Sequence, residues 1–270
     1  MKKKKSESTR TTSTVAVRLL SIFVFLLAWH LATYLLKGLP APLETFQTFV
    51  KLIAKGAEGE PGLVGWTLQE HTLASIIRVL EGAGVGFAVA LPLGILMGWS
   101  KYFEKFAGTM IEILRPIPPL AWIPLAFVIF MPFRGSTVML AQIFVVFVGA
   151  FFPAVLNTVH GVRSVDKIYI DVARTLGASN AQILKKVVLP GALPSMITGI
   201  RIGLGVGWMC LVAAEMIGAS TVGIGSFIWN MYTLGGRNAE IISGMIAIGI
   251  VGYAMNEGIL FIERRLVRWG

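Results

Sequence analysis

Six times between residues 15 and 262 the chain enters an apolar run long enough to cross a bilayer as a helix: 15–36, 72–98, 106–131, 137–156, 193–218 and 239–262. About 20 apolar residues suffice for one crossing, and a backbone in lipid must satisfy its own polar groups, which favours helices. Only 14% of the 270 residues are charged, against about 25% in a soluble domain. The expected fold class is all-α, a polytopic membrane protein of about six transmembrane helices. The third run is irregular. Pro116, Pro118, Pro119 and Pro124 lie in it, and each removes a backbone donor. It reads as a broken span, or as an interfacial helix at 103–115 followed by a short span from 117.

The net charge of +10 does not imply nucleic acid in such a chain, because Lys and Arg concentrate in cytoplasmic segments of membrane proteins. With the N-terminus inside, 16 of the 24 basic residues fall in inner segments, five in outer ones, and Arg78, Arg115 and Arg201 lie within spans. Six spans then leave both termini in the cytoplasm. Residues 1–13 read as a disordered cytoplasmic tail ahead of a membrane-spanning body at 14–270. The apolar run at 15–36 is longer than a signal-peptide core and lacks a clear small-residue cleavage site, so it is expected to stay as the first span. Cys210 is the one cysteine, and His30, His71 and His160 are far apart in sequence; neither a disulfide nor a metal-ligand spacing is present.

Two segments do not span. Residues 37–71 are expected outside, with Leu43, Phe46, Phe49, Val50 and Ile53 at helical spacing on a short interfacial helix. Residues 157–192 are expected inside, too long for a mere connector. Within them, "DVARTLGASNAQILKKVVLP" (171–190) is polar and helix-patterned. Gly177 permits a sharp turn, Ser179 can cap a helix starting near Asn180, and Pro190 is expected to end it. The pattern is helix, turn, helix, stop: a compact polar knob suited to docking in a groove of a soluble partner.

That stretch resembles the EAA loop of ABC-importer membrane subunits, in which Glu-Ala-Ala is followed after three residues by Gly and nine residues later by Ile-x-Leu-Pro. Here Asp171, Val172 and Ala173 stand at the first three positions, Gly177 at the glycine, and Val187, Leu189 and Pro190 at the end. Asp is shorter than Glu, so the contact at 171 differs from the family's. The resemblance spans about residues 66–264. "RPIPPLAWIPLAF" and "TGIRIGLGVGWMCLVAAEMIGA" are similar to the nitrate/sulfonate/taurine branch, and most similar to taurine and alkanesulfonate permeases. It implies a type I ABC importer permease fold. It also implies a homodimeric pore for a small anionic solute, two cytoplasmic ATPase subunits docked on the loops at Asp171, Ala173, Gly177, Ala178, Leu189 and Pro190, and an extracytoplasmic substrate-binding protein. ATP would be bound by the partner ATPase, with no cofactor on this chain. The sequence agrees in one respect: no G-x-x-x-x-G-K-[ST] phosphate loop occurs in it. The alternatives are a permease of the same family for another small solute, such as a thiamine-precursor pyrimidine or bicarbonate, and a stand-alone secondary transporter.

Candidate pathway residues are Arg115, Pro118, Pro119, Trp122, Arg201, Trp208 and Glu215. Arg201 lies roughly 12 Å into the fifth run, as a cation for an anionic substrate or as half of an ion pair with a carboxylate such as Glu112. Glu112 and Arg115, and likewise Arg78 and Glu81, are spaced to pair locally. Trp122 and Trp208 suit packing. Glu215 is open to three readings: contact with a binding protein, a gate, or a solvated end. The proline-rich break suits a cavity wall, because irregular backbone at membrane depth needs protein or water around it. A secondary transporter would need ion-coupling carboxylates, and only Glu112 with Glu215 offer a pair.

Overall fold

The computed structural model describes residues 2–54, 66–218 and 222–266, with side chains from Val17 onward. All regular structure among them is helical. Helix α1 (Lys2–Leu35) includes an apolar stretch, Val17–Leu35, with no buried residue. Its helical backbone reaches back through the stretch expected as a tail. Amphipathic α2 (Pro42–Ala54) follows, with Leu43, Phe46, Val50 and Ile53 exposed and Leu52 buried. The rest of the expected outer segment, 55–65, lies outside the described residues.

Helix α3 (Leu68–Trp99) begins four residues before the expected start. Thr67 caps it, and Glu70 reaches back to the Thr67 N–H at 2.6 Å. This Thr-x-x-Glu box is a start signal legible in the sequence. The proline-rich run is broken. Helix α4 (Lys101–Leu114) meets a 3-10 turn (Pro119–Trp122) and α5 (Ile123–Phe130) at 91°. With eight residues α5 is only about 12 Å long, so neither half crosses a bilayer alone. Four helices besides α1 are long and apolar enough to cross, and α4 with α5 count as a further span only if taken together.

Helix α6 (Thr137–Arg163) runs seven residues past the expected end at 156. At its end Arg163 pairs with Glu104 of α4 at 2.8 Å. Helix α7 (Lys167–Thr175) and α8 (Asn180–Ile183) form the knob. Pro190 does not stop the second helix, contrary to expectation. A π turn (Leu184–Val188) leads straight into α9 (Leu189–Ile217), so 180–217 is one helical path. The wider turn accommodates a ring that lacks an N–H. Helix α10 (Ile224–Leu234) was not anticipated. It is a short, largely buried helix between α9 and α11 (Asn238–Leu266).

The centre of the bundle is α3, α6 and α9, which touch backbone to backbone. A Cβ on Gly94 of α3 would lie 2.9 Å from the Val155 carbonyl and 2.6 Å from the Thr158 Cβ of α6. A Cβ on Gly203 of α9 would lie 2.7 Å from the Ala150 carbonyl of α6. The glycines spaced four apart on these helices, Gly82/Gly86, Gly94/Gly98 and Gly199/Gly203/Gly207, therefore serve helix packing within one chain. Apolar faces of α3, α9, α10 and α11 close around Val79, Leu211, Phe227 and Met231.

Candidate functional site

Two arrangements stand at opposite ends of the α8–α9 path. At its start is the turn between α7 and α8. Asp166 caps α7 through the Ile168 N–H (2.9 Å). At the other end of α7 the Gly177 N–H donates to the Arg174 carbonyl (2.9 Å) and the Ala178 N–H to the Ala173 carbonyl (3.0 Å). That pair of bonds is a Schellman motif, which requires a left-handed residue between them. Gly177 supplies it with φ +79°. Ala173 and Ala178, the two positions that meet across such a motif, both pack against the buried cluster that includes Ile183 and Val188. Ser179 and Gln182 then close a reciprocal capping box on α8 (2.8 and 3.4 Å). Every one of these hydrogen bonds joins residues within five positions of each other. The outer side of α7 is left apolar and exposed: Ile168, Tyr169, Val172 and Leu176. Several of these line a groove of about 850 Å³ that Lys186, Val187 and Gly191 complete.

At the far end, Glu215 is fully enclosed, with no side-chain surface exposed, and forms an ion pair with Arg78 of α3 at 2.8 Å. The expected local pair of Arg78 with Glu81 is not formed; Glu81 is exposed. Arg78 reaches across to α9 and also donates to the Val222 carbonyl (2.6 Å). The Ser75 hydroxyl donates to the same carboxylate (2.8 Å) and accepts the Ile224 N–H (2.9 Å). The Gly225 N–H donates to Glu215 Oε2 (3.0 Å). His71 Nδ1, in the tautomer protonated at Nε2, accepts the Gly223 N–H (3.0 Å). Thus three successive backbone N–H groups at the start of α10, orphans in any helix, are capped by side chains of α3 and α9. Gly223 has φ +150°, and a Cβ there would overlap the Glu215 carboxylate. His71, Ser75 and Arg78 lie at i, i+4 and i+7, one face of α3, and that spacing was the signal in the sequence. The solvated reading of Glu215 is excluded by its burial.

The model of the family described as "Binding-protein-dependent transport system inner membrane component" matches residues 90–269, which include the turn, the π turn and Glu215. The chain belongs to this family. It is a membrane-spanning permease subunit of an ABC importer.

The permease is 38% identical to the bicarbonate transport system permease protein CmpB of Synechococcus elongatus over 73% of its own length and 69% of that protein's. Identity to the taurine transport system permease protein TauC of Escherichia coli is 35%, over 89% and 84% of the two chains. With the nitrate import permease protein NrtB of a Synechocystis strain it is 36%, over 92% and 87%. Among solved structures, the inward-facing MetNI methionine ABC transporter has the same fold in one of its chains. The TM-score is 0.62 at 20% identity, over 74% of the permease and 96% of that chain.

The remaining candidates fall in different places. Arg201, midway along α9, is half-buried. It forms no ion pair among the described residues, and Glu112 does not reach it. It opens instead on a small cavity of about 60 Å³ with Trp208, Gly252 and Asn256. Asn256 of α11 was not among the sequence candidates. Trp208 is buried and donates to the Ile248 carbonyl of α11 (3.3 Å), a packing role. Arg115 and Glu112 are both exposed at the α4–α5 break and do not pair. Pro118 is exposed beside them, while Pro119 starts the 3-10 turn that carries Trp122. Among the described residues the buried Trp122 indole N–H has no partner, and neither do the two amide atoms of Gln142. In the knob Asp171 is exposed, 3.7 Å from Arg174, while Leu189 and Pro190 are half-buried where the π turn joins α9.

Proposed function

We propose that the permease works as a pair of identical copies enclosing a path for a small anion, with a separate ATPase subunit docked on each α7–α8 turn. A substrate-binding protein delivers the solute to the opposite face. The chain binds no cofactor and hydrolyses no ATP of its own; the partner holds the nucleotide. Both termini face the cytoplasm, as the Lys and Arg distribution favours. The observation that carries this reading is the turn itself. It is a locally fixed knob with an apolar face that none of the described residues covers, on a helix continuous with the centre of the bundle.

Gly177 tests it. Nothing lies within 4 Å of a Cβ at that position, so only its positive φ resists substitution. Gly177→Val is expected to break the Schellman turn and lower the yield of copurified ATPase, and Gly177→Asn, which tolerates the left-handed region, to keep it. Equal yields from both variants would rule the turn out as the dock. Cysteine placed at Asn180 is expected to resist an impermeant thiol reagent in intact cells, and cysteine placed at Thr48 to react.

Taurine, nitrate and bicarbonate, named for the relatives, share small size and an oxyanion group. An arginine at the centre of a membrane helix costs at least about 2.5 kcal/mol, and Arg201 has no carboxylate to offset it among the described residues. An anion passing the cavity beside it would do so. Arg201→Gln is expected to slow uptake of the transported anion by reconstituted complex while its capture by the binding protein is unchanged. Full uptake by a properly assembled variant would refute this role.

A further inference from the structure

We infer that the Arg78–Glu215 cage is a latch that ties α10 to the coupling turn, making the two ends of the permease one mechanical unit. The inference rests on the turn being the ATPase dock. Glu215 lies in the last turn of α9, and 180–217 is a single helical path from the capping box of the turn. At 1.5 Å per residue that path is about 57 Å long, enough to cross the bilayer and project beyond it. The π turn at Leu184–Val188 and Pro194 are its departures from regular helix.

The cage is built to transmit rather than merely to fill space. A staple between two helices needs one pair of side chains. Here the carboxylate of one helix caps the first turn of another, and a cation and a hydroxyl from a third hold that carboxylate. Helix α10 therefore cannot shift against α9 without uncapping its own N–H groups and stranding an enclosed carboxylate, both costly in an apolar setting. The opposite face of α10 is exposed and aromatic: Trp229 and Tyr232 lie with ring centroids 5.6 Å apart. A load on that face passes into α9 through Glu215 and arrives at the turn. In the resting complex the cage holds the rod in one position, and the docked ATPase reads that position. Glu215, Arg78, Ser75 and His71 are accordingly positioning residues.

The test uses the intact complex of permease and ATPase in lipid nanodiscs, with no binding protein present. Loosening the latch lets the rod move without a load. Losing one hydrogen bond to a charged group shifts such an equilibrium by about ten-fold or more. Glu215→Gln is expected to raise basal ATP hydrolysis by at least about that factor, and Ser75→Ala by less. Thr72→Ala removes a hydroxyl from the same turn of α3 that bonds only to the Leu68 carbonyl (2.7 Å), and is expected to change nothing. Hydrogen exchange at the amides of 223–225 should quicken in the first two variants. Ser75→Ala keeps both charges, so it remains readable if Glu215→Gln fails to fold. Fast exchange with unchanged or reduced hydrolysis would make the cage a structural staple and overturn the latch. Unchanged exchange would overturn the capping role. Failure of the wild-type permease to copurify with the ATPase would instead overturn the docking reading, while exchange in the permease alone still reports on the cap.

Discussion

Arg78→Ala is expected to destabilise the permease by about 3–5 kcal/mol, the cost of leaving a buried charge without its partner. The Arg78 side chain is 13% exposed and that of Glu215 not at all, so water cannot take the guanidinium's place. Glu81→Ala, three residues along the same helix, removes an exposed carboxylate and is expected to change stability by less than about 0.5 kcal/mol. Thermal unfolding of the purified chain in detergent measures both. Replacing Arg78 and Glu215 together by leucine is expected to recover part of the loss, because apolar packing can stand in for a buried pair. It should not recover all, because the Gly225 N–H then has no acceptor. Equal effects at Arg78 and Glu81 would mean that the pair is not formed across the helices.

Gly94→Leu is expected to prevent the folded chain from accumulating. The new side chain would meet the Val155 carbonyl at 2.9 Å, and a backbone atom cannot rotate away. Helices α3 and α6 would have to separate along a seam that three other glycines of α3 also occupy: Gly82, Gly86 and Gly98. Overpacking in a tight core costs about 1–3 kcal/mol or more, and here it disrupts the central helix pair. Gly84, on the same helix, has nothing within 4 Å of its Cβ position. Gly84→Leu is expected to be neutral or to stabilise by up to about 1 kcal/mol, through helix propensity. Fluorescence-detected size exclusion separates the two, and similar profiles would mean the seam is looser than the structure shows.

The α7–α8 turn was legible at Gly177 and Ser179. Gly177, Ser179 and the alanines at 173 and 178 act through bonds that span at most five positions, such as Ala178 to Ala173. Such contacts form wherever that segment is placed. The spans were legible for the same reason, since a run of apolar residues must become a helix in lipid whatever its neighbours do. Helix ends were less so. The start of α3 was written in Thr67 and Glu70, but the end expected at Pro190 was not an end, because a π turn makes room for the ring.

By itself the sequence determined an all-helical membrane chain, its polar turn and its resemblance to importer permeases. Only the tertiary structure decided which glycine faces which helix and which acid answers Arg78. Glu81 is three positions from Arg78 and Glu215 is 137 away, and local spacing favoured the nearer one. The farther one prevailed because packing of α3 against α9 and α10 removes water from both charges at once. An enclosed pair gains far more from each other than an exposed pair does. The partner of a membrane charge is thus set by where the helices close, which no contiguous stretch of residues records.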